Sequence, residues 1–151
     1  MIEIYTDGSC YYKTKYGGFG IAFIVNGEVK KTVSKGIFPS TTGVSELLGC
    51  LTALKILDKD QKAIIFCDSK YVINCFNLYW LKSWEREGWP DRLKNIDILK
   101  RLFLEYNKFS KGNLIFEHIK GHKDNFGNCL ADKLADYKCH KTFKEPSFYL
   151  K

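Results

Sequence analysis

The sequence predicts an α/β domain: a five-stranded mixed sheet flanked by helices. Short runs rich in β-branched and aromatic residues recur five times along the 151 residues. The later runs alternate with stretches whose apolar residues return every three to four positions, the period of a helix with one buried face. A two-residue hairpin signal, Asn26-Gly27, joins the second run to the third, so part of the sheet is antiparallel.

Residues 2–7 read as the first strand, 19–25 (Phe-Gly-Ile-Ala-Phe-Ile-Val) as the second and about 28–37 as the third. The Gly17-Gly18-Phe19-Gly20 cluster enters a strand with no GK[ST] after it, so it is no phosphate loop. It reads as a bend that lets the chain pass close to a neighbour or to substrate. Val44, Leu47, Leu48, Leu51, Leu54 and Leu57 give a helix over about 43–58. Residues 62–67 return to strand, and Ser69 caps a helix running to about 80. Gly88 and Pro90 interrupt any regular element over 81–92. Ile98, Leu99, Leu102 and Phe103 share one side of a helix over 95–109. Residues 113–119 form the last strand and 126–140 the last helix.

Nothing divides the chain: it has no internal repeat, low-complexity tract or Pro/Ser-rich linker. A 45% apolar and 27% charged composition is that of one globular domain. No apolar run is long enough to span a bilayer, and no signal peptide is visible. The six cysteines show neither a CxxC pair nor zinc-type spacing, which points to free thiols in a reducing, cytoplasmic interior. The formal charge of +7 favours a polyanionic partner.

Against that basic background, four acids stand at structurally meaningful places. Asp7 closes the first strand, Glu46 opens a helix, Asp68 ends a strand and Asp132 lies in the last helix. Singly, each has an ordinary reading: a turn, a helix dipole contact, a cap, a solvated helix residue. Converged, they would repel one another strongly unless divalent cations held them together. That is the chemistry of a two-metal phosphodiesterase. His118 and His122 form an HxxxH, but His118 sits in a strand-like run with no third nitrogen or sulfur ligand nearby, a poor zinc site.

Thr6-Asp7-Gly8-Ser9, Ser45-Glu46-Leu47, Asp68-Ser69-Lys70-Tyr71-Val72, Lys120-Gly121-His122 and Asp132 resemble, in order and spacing, the motifs of ribonuclease H type 1. The likeness runs from Ile2 to about His140. It implies a ribonuclease H-like fold over 1–142 with a short tail over 143–151. It also implies an endonuclease that cuts the RNA strand of RNA–DNA hybrids, leaving 5′-phosphate and 3′-hydroxyl ends. By the same resemblance Asp7, Glu46, Asp68 and Asp132 would ligate two Mg²⁺, with Mn²⁺ as a substitute, and His122 would shuttle protons or help product leave. Two ions about 4 Å apart activate an in-line water and stabilise the leaving 3′-oxygen. Trp80 and Trp84 would contact the DNA strand, and Thr41 and Asn95 would hold a DNA phosphate. The Gly8, Ser9 and Cys10 backbone, with Glu46, would read the 2′-hydroxyls that mark RNA.

Two departures stand beside the likeness. Lys13 and Gly43 occupy places where bacterial relatives often carry groove-contacting asparagines. The segment 82–94 is shorter than the basic handle of long-form relatives; its four cations against three acids leave one net positive charge. That implies weaker hybrid affinity. The chain is expected to act as a free-standing monomer, with no membrane partner. The rival readings are a non-catalytic nucleic-acid binding module of the same fold and a nuclease with a different RNA substrate.

Overall fold

The computed structural model describes residues 1–120, 124–140 and 142–144. Its strands are β1 (Ile2–Tyr11), β2 (Tyr16–Val25), β3 (Glu28–Ile37), β4 (Ala63–Cys67), β5 (Leu114–His118) and β6 (Phe143–Lys144). The helices are α1 (Thr42–Ile56), α2 (Lys70–Asn77), α3 (Trp80–Arg86), α4 (Ile96–Tyr106) and α5 (Phe126–Ala135). The strands lie in the order β5-β4-β1-β2-β3-β6. β1, β2 and β3 pair antiparallel through hairpins, whereas β4 pairs parallel with both β1 and β5. The five expected strands are therefore present in a mixed sheet.

A sixth strand lies beyond that expectation. Phe143 and Lys144, the first residues of the segment assigned to the tail, pair with Gly36 and Ile37 of β3. The helix expected over 70–80 is broken: α2 stops at Asn77 and Tyr79 turns left-handed at φ 58° before α3 starts. Trp80 consequently opens α3 and shares that helix with Trp84. The last helix ends at Ala135, followed by a single 3₁₀ turn over Tyr137–Cys139.

The main core lies between one face of the sheet and α1, α2 and α4, with Ile4, Phe19, Ile21, Leu47, Leu51 and Ile65 fully enclosed. α1 is buried over most of its surface (Val44–Leu54), as expected of a helix apolar on nearly every side. Thr41 caps it, its Oγ1 accepting the Val44 amide at 3.1 Å. α5 covers the opposite face over a smaller cluster of Tyr5, Ala22, Ile24 and Ala131. β1 thus runs between α1 and α5.

Two glycines set how closely those helices approach. A Cβ at Gly8 would strike the backbone of Ser45 and Glu46, so α1 reaches β1 only because no side chain is there. A Cβ at Gly20 would strike the Ala131 carbonyl and the Leu134 side chain of α5. The glycine cluster is therefore part of β2, not a bend: Gly18 and Gly20 lie against the end of α5 and the residues after it, whereas Gly17 lies against Ser40 and Ser45. Gly20 pairs directly with Asp7 across β1 and β2, which sets α5 above the Asp7 level of the sheet. Gly20→Ala is expected to lower stability by about 1–3 kcal/mol, the usual cost of overpacking, in urea denaturation. An unchanged midpoint would contradict this packing.

Candidate active site

Asp7 lies on β1 one residue past the point where β4 stops pairing with it, at Thr6↔Cys67. From Asp7 onward, the β1 edge facing away from β2 has no strand partner among the described residues. Glu46 occupies the first turn of α1, carried against β1 by the Gly8 contact. Asp68 directly follows β4, and Ser69 caps α2 behind it, its Oγ accepting the Val72 amide at 3.3 Å. Two parallel-sheet neighbours and one helix start therefore deliver three carboxylates to one spot. One oxygen from each of Asp7, Glu46 and Asp68 lies within 4.8 Å of the others.

Asp132 arrives from the other face of the sheet on α5. Its carboxylate is hydrogen-bonded to the Asp7 side chain, although the residue as a whole is exposed. The Gly8 amide donates to Asp7 Oδ1 at 2.9 Å. That bond does not offset the crowding. Burial, then the charges of Asp68 and Asp132, push the Asp7 carboxyl up to about 8. Burial also raises Glu46, with Asp68 adding to it and a hydrogen bond from Ser69 opposing. Asp68 is raised by burial first and by Asp132. A set of oxygen donors this close, and this reluctant to ionise together, fits a hard divalent cation such as Mg²⁺ or Mn²⁺.

The matching family model is that of RNase H, over residues 1–140. This chain belongs to the RNase H family. A ribonuclease H from Caldanaerobacter subterraneus subsp. tengcongensis is 36% identical over 149 residues, spanning 96% of this chain and 95% of that one. One from Rickettsia bellii is 36% identical over 138 residues, spanning 89% and 86%. Among solved structures, the foamy virus RNase H domain superposes with a TM-score of 0.72 at 28% identity, covering 89% of this chain and 91% of that one. Prototype foamy virus protease-reverse transcriptase gives a TM-score of 0.80 at 26% identity; the match covers 93% of this chain but only 21% of the viral one. Family membership makes the chain an enzyme of the ribonuclease H class, a metal-dependent nuclease.

The expected contact residues surround the acids in different ways. Gly8, Ser9 and Cys10 continue β1 past the last β4 pair, with β2 on the other side only. The Ser9 hydroxyl donates to the Ala135 carbonyl at 2.7 Å, and the Cys10 thiol to the Ser40 carbonyl at 3.3 Å, so both side chains are committed to the fold. Thr41 and Asn95 flank one point from two elements. A Cβ at Gly43 would sit 3.8 Å from Thr41 Oγ1 and 3.9 Å from Asn95 Nδ2. Asn95 is left-handed at φ 60° and makes no capping bond, which keeps its amide available.

Trp80 and Trp84 are half-buried, with ring centroids 5.9 Å apart, and both pack on the main core. Burial and surface presentation are thus shared between them. Lys13 lies in the exposed turn between β1 and β2, and Gly43 in the first turn of α1. Within 82–94, Arg92 pairs with Glu87 at 2.9 Å, consuming one of the few cations there. His122 lies outside the described residues. His118 sits on β5 and bonds the Asp68 carbonyl, a contact that carried no sequence motif.

The raised Asp7 value couples stability to pH with a definite sign. An unfolded aspartate ionises near about 4. Folded and metal-free, Asp7 holds its proton to about 8. The folded state therefore binds more protons between those limits, and its stability falls as pH rises through them. The contribution is complete below about pH 4 and gone above about 8. Metal-free Asp7→Asn protein should gain in melting temperature over the parent progressively from pH 4 to pH 8. Scanning calorimetry in chelator that finds a pH-independent difference would contradict the crowding.

Proposed function

We propose that this enzyme hydrolyses the RNA strand of RNA–DNA hybrids with two divalent ions, leaving 5′-phosphate and 3′-hydroxyl ends. The observation that carries the reading is the convergence of the Asp7, Glu46 and Asp68 oxygens within 4.8 Å, with Asp132 bonded to Asp7. Asp7 and Asp68 hold the ions from the sheet, Glu46 completes the first position and Asp132 the second. When bound, a pair of Mg²⁺ or Mn²⁺ ions supplies a nucleophilic water and stabilises charge on the leaving oxygen.

The protein's own groups do the orienting. The open edge of β1 at Gly8, Ser9 and Cys10 presents backbone to the RNA 2′-hydroxyls, beside the Glu46 carboxylate. Thr41 and Asn95 clamp a DNA phosphate from two elements, and the exposed parts of Trp80 and Trp84 stack on deoxyribose, where a 2′-hydroxyl would obstruct approach. His122 moves a proton or helps product depart. Membership of the RNase H family, with a ribonuclease H relative 36% identical over nearly the whole chain, supports a hybrid as substrate. We place the enzyme in the cytoplasm as a monomer. Free thiols at Cys10, Cys50, Cys67, Cys75 and Cys129 fit a reducing compartment, and no helix among the described residues is long and apolar enough to cross a membrane.

Asp68→Asn should lose at least about a hundredfold in turnover of a labelled hybrid in Mg²⁺ while still binding it, and chelator should silence the parent. Duplex RNA and duplex DNA at equal concentration should be cleaved poorly. Near-normal turnover by Asp68→Asn would refute the metal assignment; equal cleavage of duplex RNA would refute the substrate.

A further inference from the structure

Asp68 stands where β4 leaves the sheet, so the strand ladder does not hold it. The β4–β5 pairing ends at Cys67↔His118, and the Ile119 amide donates to the Cys67 carbonyl at 3.0 Å. The next carbonyl, that of Asp68, lies beyond the last strand pair. There the His118 Nε2 approaches it to 3.0 Å. A carbonyl oxygen only accepts, so Nε2 carries a proton and donates it. Neutral imidazole with the proton on Nε2 does this as well as imidazolium, and the bond requires no charge.

We propose that His118 is a positioning residue: its side chain adds one rung to the β4–β5 ladder and so fixes the Asp68 backbone, aiming the carboxylate at Asp7 and Glu46. The inference rests on the metal-site reading above. His118 acts through its bond to the Asp68 carbonyl and is not itself one of the clustered acids. The restraints that follow Asp68 act at other atoms. The Ser69 amide points to Cys67 Sγ at 3.4 Å, and the Ser69 hydroxyl accepts the Val72 amide. Neither acts on the carbonyl of Asp68 itself. Without the imidazole, the peptide plane after Asp68 keeps only the weak contact of the Ser69 amide with Cys67 Sγ, so it turns more easily and carries the Asp68 Cα and carboxylate with it. A ligand displaced by a fraction of an ångström weakens a site that needs three oxygens in register. A histidine that only fills space on β5 would change stability when replaced, but not cation affinity.

The test is Mn²⁺ binding to metal-free protein by isothermal titration calorimetry, with hybrid cleavage as a second readout. His118→Phe keeps a ring and removes the donor; His118→Gln restores an N–H at a similar reach. His118→Phe should weaken Mn²⁺ binding about tenfold, the scale of losing an outer partner of a ligand, and His118→Gln should return to within about threefold of the parent. The KM for hybrid at saturating metal should not change. Parent-like Mn²⁺ affinity in His118→Phe, with Asp68→Asn defective, overturns the role of His118 alone. A loss in His118→Gln equal to that in His118→Phe also overturns it. If His118→Phe does not fold, His118→Gln decides: binding within threefold supports the role and a tenfold loss ends it. Equal affinity in the parent and Asp68→Asn would instead remove the metal-site reading and this inference with it.

Discussion

Mutual repulsion among crowded carboxylates, Asp7 buried and Glu46 and Asp68 half-buried, is the constraint around which this structure is organised. Oxygens of Asp7, Glu46 and Asp68 lie within 4.8 Å of one another. At that separation each ionised pair costs about 3–4 kcal/mol in an effective dielectric of about 20. Three such pairs come to roughly 10 kcal/mol, comparable to the whole stability of an ordinary domain at about 5–15 kcal/mol. The apoprotein relieves this by protonation: burial first, and then the charges of Asp68 and Asp132, keep the proton on Asp7 to about 8. Divalent cations relieve it without protonation. The same crowding that burdens the empty fold therefore stabilises the loaded one.

The surrounding architecture serves to bring the acids close without filling the space between them. Central β1 has α1 on one face and α5 on the other, and each helix approaches through a missing side chain, at Gly8 and at Gly20. Gly8 seats the α1 backbone at Glu46. Gly20 seats α5 at Ala131, next to Asp132. β4 supplies Asp68 by ending one residue earlier, and its withdrawal from β1 after Thr6 opens the strand edge beside Asp7. Sheet pairing, helix approach and strand termination all converge on a single corner.

Much of this was legible in the residues, because the five main strands are dense in β-branched and aromatic side chains and α1 has an unambiguous helical period. What was not legible depended on partners. β1 extends past Asp7 to Tyr11 because Tyr11 pairs with Tyr16 across the hairpin, a register no single strand reveals. The break between α2 and α3 falls at Tyr79, a left-handed residue with no glycine or proline to announce it. β6 is two residues long and exists only by pairing to β3. For the site, sequence order gave four candidate acids. Their separation could come only from tertiary packing, as could the part played by His118, which resembles a satisfied strand histidine until its partner is seen to be Asp68.

The most direct measurement of the central claim is the ionisation of Asp7 itself, followed by its carboxyl carbon resonance as pH is varied with and without saturating Mg²⁺. Without metal, the crowded site predicts a midpoint near about 8. With metal, it predicts full ionisation already at about pH 5, because a bound cation favours the charged form. An ordinary aspartate titration near about 4 in the metal-free protein, unaltered by Mg²⁺, would mean that the acids are neither crowded nor shared by an ion.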